Sequence, residues 1–352
     1  MDNVLDLQTP DFGPLYSAVC VDVFGVAHFM YHSGIKAKVA EGSSSKLEQI
    51  VLPSRKNNGQ IYPRLALMMI EYFEKLERTG KQIHLLFDNA TSKVTARRYI
   101  SEAYKSTRNS KPAVFYRTVD FVQFYCTRAM RPNVRVTRVP SREADDLIKS
   151  LLLFNEVSGE KELDLIKIPE MEEHEKILCV ANDSDWYACL GPKVHQVWFG
   201  DREPYTADSF INEFGFEPTM KRVAVYKALM GDKGDDIEAV LKKKDISHDD
   251  LIYLVEEYSN GWNAESLPVL VSQDPKVPQK VKDVLREKRD KYQINLKLTD
   301  YMPTSLERVE MYTSKGRNNS LMRTTLLKAL TSVIDDSSPM KKFNFGGVAA
   351  NV

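Results

Sequence analysis

SAVCVDVFGV, residues Ser17 to Val26, is the stretch on which the fold turns. A short apolar run bounded by turn residues reads as a buried strand. An acid, Asp22, lies within it. Further on, PRLALMMIEYFEKLERTG (Pro63–Gly80) starts with Pro, ends with Gly and spaces its apolar residues as a helix does. QIHLLFD (Gln82–Asp88) is a second buried strand. A long basic helical region follows, then another helix near Val119–Met130. NVRVTRVP (Asn133–Pro140) alternates like a strand, and READDLIKSLLLF (Arg142–Phe154) is helical. KILCVAND (Lys176–Asp183) and KVHQVWFG (Lys193–Gly200) are two more strands. The polar segment Glu41–Gln60 reads as a loop. Strands alternating with helices imply βαβ units, hence an α/β, mostly parallel sheet flanked by helices.

After about Pro218 the pattern turns helical: Thr219–Met230, His248–Tyr258, Lys280–Tyr292 and Leu321–Ile334. The expected organisation is an arm (1–16), an α/β domain (17–217), an α-helical lobe (218–334) and a flexible tail (335–352).

The chain has 352 residues, 43% hydrophobic and 28% charged, ordinary for a globular protein with ample core. No apolar run reaches membrane-spanning length, and the acidic start MDNVLDLQTPDF is unlike a signal peptide. A cytoplasmic location and no membrane contact follow. The scattered Cys20, Cys126, Cys179 and Cys189 read as reduced core thiols. Net charge is zero, which argues against a simple polycation. The charge is segregated all the same. Eleven Lys and Arg residues lie between Lys93 and Arg138, opposed only by Glu102 and Asp120.

The acids follow the strands. Asp22 lies in the first and Asp88 ends the second. Glu143, Asp145 and Asp146 open the helix after the third; Asp183 and Asp185 follow the fourth. GDKGDDIEAV (Gly231–Val240) brings Asp232 and Asp235 to the start of the helical lobe. In a parallel sheet the strand C-termini share one edge, where ligands bind. Each acid alone also reads as a cap or turn residue. Repetition after strand upon strand argues for convergence. So many carboxylates cannot stay ionised together without cations, and all-oxygen donors suit Mg²⁺ or Mn²⁺.

At these residues the chain resembles the 5′-nuclease superfamily of flap endonucleases and 5′-3′ exonucleases, most of all its phage-type members, which include ribonucleases H. The motifs VCVDVFG, LLFDNATSKVTARRYISEAYKSTR, SREADDLI, CVANDSDWYACL and KALMGDKGDDI stand in the family's order across roughly Ser17–Val240. The resemblance implies a Rossmann-like (PIN-like) nuclease domain with a helical arch at about 89–131. It implies metal-dependent cutting of 5′ flaps and duplex 5′ ends, and removal of RNA primers. Asp22, Asp88, Glu143 and Asp145 match the tighter metal site, and Asp146 is the phage form's extra acid. Asp183, Asp185, Asp232 and Asp235 match the second site, for two Mg²⁺ or Mn²⁺ ions in all. Arg97 and Lys105 match the phosphate-gripping pair of the arch; Lys93, Arg98, Tyr104 and Arg108 are its further nucleic-acid contacts. If Arg97 and Lys105 share a helix, they lie about two turns apart on similar faces. Implied partners are branched or nicked DNA, RNA–DNA hybrid duplex and replication proteins such as a single-strand binding protein or clamp. The protein would act as a monomer, in a host cell's cytoplasm if of phage origin.

Departures matter. Asp236 stands where the family often has Asn. EAVLKKKDISHDD lacks the glycines of the duplex-clamping helix–turn–helix, here degenerate near 231–258, which leaves a K⁺ site open to question. Lys242, Lys243 and Lys244 can still contact phosphates. His28 and His32, spaced as in helical zinc pairs, lack a third ligand and read as residues near the DNA end; Phe29 reads as a base-stacking or core residue. Competing readings are a junction-binding protein without activity, a PIN-type endoribonuclease, and a haloacid-dehalogenase-like phosphatase. The last needs a second acid where Phe24 stands.

Overall fold

In the computed structural model the described residues are 15–32, 50–52, 59–88, 96–108, 111–157, 175–199, 201, 203–260 and 263–335. Lys93, most of the 1–16 arm and the 336–352 part of the tail lie outside them. β1 (Tyr16–Asp22) runs through the middle of the sheet and leads directly into α1 (Val23–Met30). β2 (Ile50–Leu52) and β3 (Gly59–Ile61) form a small antiparallel pair in the segment expected to be a loop. α2 (Pro63–Arg78), β4 (Gln82–Leu86), α3 (Ala113–Ala129), β5 (Val134–Thr137), α4 (Ala144–Val157), β6 (Lys176–Val180) and β7 (Val194–Val197) complete the α/β layer.

A late strand, β8 (Thr313–Lys315), joins the same sheet, whose order is β7-β6-β1-β4-β5-β8. Every pairing is parallel except β5 with β8. Parallel strands need crossovers, and those crossovers cover both faces. The buried residues of α1, α2 and α3 pack on one face; α4 and Trp186 pack on the other. All four cysteines are buried and unpaired.

The second lobe is built from α5 (Ala207–Phe214), α6 (Met220–Met230), α7 (His248–Tyr258), α8 (Asn263–Leu270), α9 (Gln279–Glu287) and α10 (Arg289–Thr299). Thr206, Thr219 and Ser247 cap α5, α6 and α7 with their side chains. The lobe's core takes in Phe210 and Phe216, so it begins before residue 218. It also ends before 334. After α10 come α11 (Leu306–Met311), β8 and α12 (Ser320–Asp335). Met322, Leu326 and Leu330 of α12 join the α/β core. Arg323 explains the return: its Nε lies 2.7 Å from Glu74 Oε1 and its Nη2 3.0 Å from Glu77 Oε2, two buried carboxylates of α2 that need a cation.

The basic stretch also differs from expectation. Among its described residues, Ala96–Tyr99 form one 3-10 turn and 100–108 are irregular. α3 is a core helix, with Phe115, Val119, Val122 and Cys126 fully buried. Before it, Arg97, Lys105 and Arg108 pair with carboxylates of other elements rather than along a helix face.

Candidate metal and nucleic-acid site

Each acid sits where a strand or helix ends. Asp22 caps α1, its Oδ1 accepting from Gly25 N at 2.9 Å. Gly25 leaves room for that carboxylate: a Cβ there would stand 2.6 Å from Asp22 Oδ2. Asp88 follows β4, and its Oδ1 accepts from Ala144 N at 2.6 Å, which ties it to the start of α4. Glu143 precedes α4; Asp145 and Asp146 lie in its first turn. Asp183 follows β6 and caps the 3-10 turn Ser184–Cys189, accepting from Asp185 N at 2.9 Å. Asp232 and Asp235 lie just past α6, beyond Gly231 at φ 77, where a Cβ would meet Ala239 N and Ile237 O at 2.6 Å.

A cleft of about 590 Å³ opens at this edge. Asp22, Asp88, Glu143, Asp145 and Asp183 line it, with Lys105 and Arg108 beside them. Phe24, His28, Phe29 and His32 form part of its wall. Asp185, Asp232 and Asp235 are not in that lining.

Burial, then mutual repulsion, drives the carboxyl pKa values apart. Asp22 is pushed well above the usual range by burial and by Asp88. Burial and Glu143 raise Asp88 to about 6. Burial and Asp185 raise Asp183 to about 7. Burial raises Asp235 to about 6, with Lys105 pulling the other way. Burial also pushes Asp145 up, but Lys149 and Arg97 hold it at about 2. Lys227 does the same for Asp185, holding it far below its usual value against the pull of burial. Lys227 Nζ bonds Asp185 and stands 2.9 Å from Asp232 Oδ2 and 3.0 Å from Ser184 Oγ.

Several expectations need correction. Arg97 does not face the cleft. It is 2% exposed, and Arg97 and Lys105 share no helix. Its Nη1 lies 2.8 Å from Glu143 Oε2, its Nη2 2.8 Å from Asp146 Oδ1, and its Nε donates to Leu298 O at 2.9 Å. It is an inter-lobe strut between the start of α4 and the end of α10. Asp146, 1% exposed, points to the same strut and accepts from Met302 N at 2.8 Å, away from the cleft. Burial and Asp145 raise it to about 7.

Tyr104 is buried, with Oη 2.9 Å from Glu143 Oε2 and 2.8 Å from Asp235 Oδ2. Lys105 does reach the cleft, at φ 53, with Nζ 3.0 Å from Glu143 Oε2 and 3.5 Å from Asp235 Oδ2. Arg98 Nη2 donates to Lys105 O at 3.1 Å and so braces that backbone. Arg108 Nε donates to Gly234 O at 2.9 Å. Thr107 N donates to Asp236 Oδ2 at 2.8 Å, so the departure from the family pattern at Asp236 fastens this segment to the helical lobe. Lys242, Lys243 and Lys244 are exposed on the turn before α7. Phe29 stacks on Phe199 with ring centroids 5.5 Å apart. Burial, then Lys111, pushes His28 down to about 4.

Sequence reasoning missed Lys149 and Lys227. Lys149 stands i+4 from Asp145 on one helix, a spacing visible in the sequence. Lys227, five residues before Asp232 in the last turn of α6, carried a weaker signal.

All donors at the edge are oxygens, the set a hard divalent cation prefers. Among the described residues no group of three carboxylates already forms an ion cage. Lys105, Lys227 and Lys149 draw the acids instead. The repulsion that remains at Asp22, Asp88 and Asp183 is what a bound cation relieves, so the residues fit one.

The mostly parallel α/β sheet expected from the sequence is present, and the chain is similar, in sequence and in fold, to proteins that carry 5′-nuclease names. No protein-family profile matches the chain. The 5′-3′ exonuclease of Buchnera aphidicola subsp. Acyrthosiphon pisum (strain APS) is 27% identical over 210 residues, 60% of this chain. The chain spans 64% of that relative's length. A bacteriophage T5 flap endonuclease, solved as a pseudo-enzyme–product complex with DNA and metal ions, aligns at TM-score 0.54 and 16% identity, over 90% of this chain and 98% of that one. A T5 protein co-crystallised with metal ions aligns at TM-score 0.54 and 15% identity, over 91% and 99%. Among the described residues no helix is long and apolar enough to cross a membrane.

Proposed function

We propose that this protein is a divalent-metal-dependent nuclease that hydrolyses phosphodiesters at 5′ flaps and duplex 5′ ends, of DNA and of RNA primers paired to DNA. The observation that carries the reading is the convergence of acids from β1, β4, the start of α4 and β6 on one sheet edge, around a cleft that Lys105 and Arg108 also line, with Asp235 of the turn after α6 tied to it through Lys105. The names of its relatives point the same way.

Asp22, Asp88, Glu143 and Asp145 would hold one Mg²⁺ or Mn²⁺, and Asp183, Asp185, Asp232 and Asp235 the other. Divalent ions held there would supply positive charge to offset that of the scissile phosphate and would lower the pKa of a nearby water, the chemistry of a hydrolysis that leaves a 5′-phosphate. The chain's own residues prepare the site. Lys105 bridges Glu143 and Asp235, so an entering phosphate competes for its ammonium and frees both acids toward the cleft. Arg108, half exposed, can follow the strand's backbone. Lys242, Lys243 and Lys244 would touch duplex phosphates, which makes binding salt-dependent and sequence-independent. Asp146 and Arg97 hold α4 in place rather than touch the reacting atoms.

The test is a 5′-labelled flap duplex, a nicked duplex and an RNA–DNA hybrid, each incubated with Mg²⁺ and with EDTA. Mg²⁺-dependent release of products from the 5′ end is expected. Binding with no cleavage in Mg²⁺ or Mn²⁺ refutes the reading and leaves a junction-binding protein. Preferred cutting of single-stranded RNA favours an endoribonuclease.

A further inference from the structure

Nothing in the reaction above uses Lys149. It stands one turn beyond Asp145 on α4, its side chain 3% exposed. Its Nζ lies 2.9 Å from Asp145 Oδ2, its one hydrogen-bond partner among the described residues. The same Oδ2 takes Arg97 Nη2 at 3.3 Å. Asp145 Oδ1 takes no hydrogen bond among the described residues, and Asp145 lines the cleft. Two cations thus share one oxygen and leave the other without a hydrogen-bond partner among the described residues, on a residue that lines the cleft. α4 packs here against the turn Ser184–Cys189, which carries Asp185, the next acid whose charge acts on Lys149.

An ammonium buried this deeply is unfavourable unless it is paired, so a packing role alone would be served better by an apolar side chain. The other cations of the site have different duties. Lys105 and Arg108 lie where the substrate's phosphates approach, and Arg97 spans the two lobes. Lys149 has no route out of the acid cluster and no second lobe to hold.

We propose that Lys149 is a positioning residue, an internal counter-cation that grips Asp145 by Oδ2, turns Oδ1 to the cleft and holds the acid cluster together before divalent ions arrive. This rests on the metal-dependent reading of the site. One consequence has a definite sign. With a neutral side chain at this position, an arriving Mg²⁺ meets one more uncompensated negative charge. Mg²⁺ then binds more tightly and stabilises the fold by more than it does in the wild type.

The experiment is calorimetric melting of the wild type, Lys149→Met, Lys149→Gln and Lys149→Arg, in EDTA and through a Mg²⁺ titration without nucleic acid. In EDTA the Met and Gln variants should melt on the order of 5 °C below the wild type. Mg²⁺ should return more of the loss than it adds to the wild type, with its midpoint shifted at least about tenfold lower. Lys149→Arg should follow the wild type. A Mg²⁺ response in Met and Gln equal to or weaker than the wild type's overturns the role, and Lys149 is then a packing residue. If Lys149→Met does not fold, the Gln and Arg pair decides. Flap cleavage by the wild type is measured alongside. Cleavage with an unchanged Mg²⁺ response in the variants sinks the Lys149 role alone; no Mg²⁺ response and no cleavage in the wild type sink the nuclease reading and this role together.

Discussion

Arg97→Met removes the cation that Glu143, Asp145 and Asp146 share. The guanidinium makes contacts of 2.8 Å to Glu143, 2.8 Å to Asp146 and 3.3 Å to Asp145, and a 2.9 Å bond to Leu298 O. Breaking a buried ion pair by deleting one partner costs about 3–5 kcal/mol. Two of the three acids keep a cation: Asp145 keeps Lys149 at 2.9 Å and Glu143 keeps Lys105 at 3.0 Å. Asp146 keeps, as its hydrogen-bond donor among the described residues, the backbone N–H of Met302. The loss therefore concentrates on one carboxylate, and about 3 kcal/mol is expected.

That carboxylate also sets the pH dependence. Burial and Asp145 already raise Asp146 to about 7, above an unfolded value of about 3.9. A carboxyl raised in the folded state binds its proton more tightly there than in the unfolded chain. Its stability contribution is present at low pH and is lost as pH rises through the folded pKa. Without Arg97 that pKa rises further, so the variant goes on losing stability where the wild type has levelled off. The gap between the two should widen between about pH 6 and pH 8, at up to about 1.4 kcal/mol per unit. Urea denaturation followed by circular dichroism in EDTA, at both pH values, measures it. A loss below about 1 kcal/mol at the higher pH, or a gap that does not change with pH, refutes the strut.

The remaining predictions concern chemistry and acid stability. Asp88→Asn should abolish cleavage while flap binding, read by fluorescence anisotropy, stays within a few-fold; normal turnover removes Asp88 from the metal site. Lys105→Ala should lower the single-turnover rate by about a hundredfold or more and binding far less, as for a group acting on developing charge. Equal losses in both would make Lys105 a simple binding contact. His84 is buried in β4, its Nε2 without a hydrogen-bond partner among the described residues, and burial, then Arg135, lowers its pKa to about 3. The unfolded chain takes the proton first, so stability falls as pH drops below about 6.5, by about 1.4 kcal/mol per unit. His84→Leu should flatten that limb by about 2–3 kcal/mol near pH 4.5, and parallel urea-denaturation profiles for the two proteins would show that His84 has no part in acid unfolding.

The strands and the acids that end them were legible because a buried parallel strand is a continuous apolar run, and an acid just past it stands out. Asp22, Asp88, Glu143, Asp145 and Asp183 all reach the cleft on that logic. β8 was not legible: three residues, two of them exposed, carry no pattern, and its place depends on pairing with β5 from the far end of the chain. α12 reads as a helix, but nothing in its spacing says which lobe it covers. Arg323 reaching Glu74 and Glu77 settles that, across sequence separations of 249 and 246 residues.

Arg97 is the deeper case. Its spacing to Lys105 suggested one face of an arch helix, and that inference needed the helix to exist. Three acids at the start of α4 create a demand for positive charge inside the protein, before any substrate is present. A guanidinium, with its fork of donors, meets several carboxylates at once where a lysine meets one or two. The arginine nearest the acids is therefore drawn inward to hold the two lobes together, and the shorter Lys105 is left at the cleft wall, where an incoming phosphate can displace its partners.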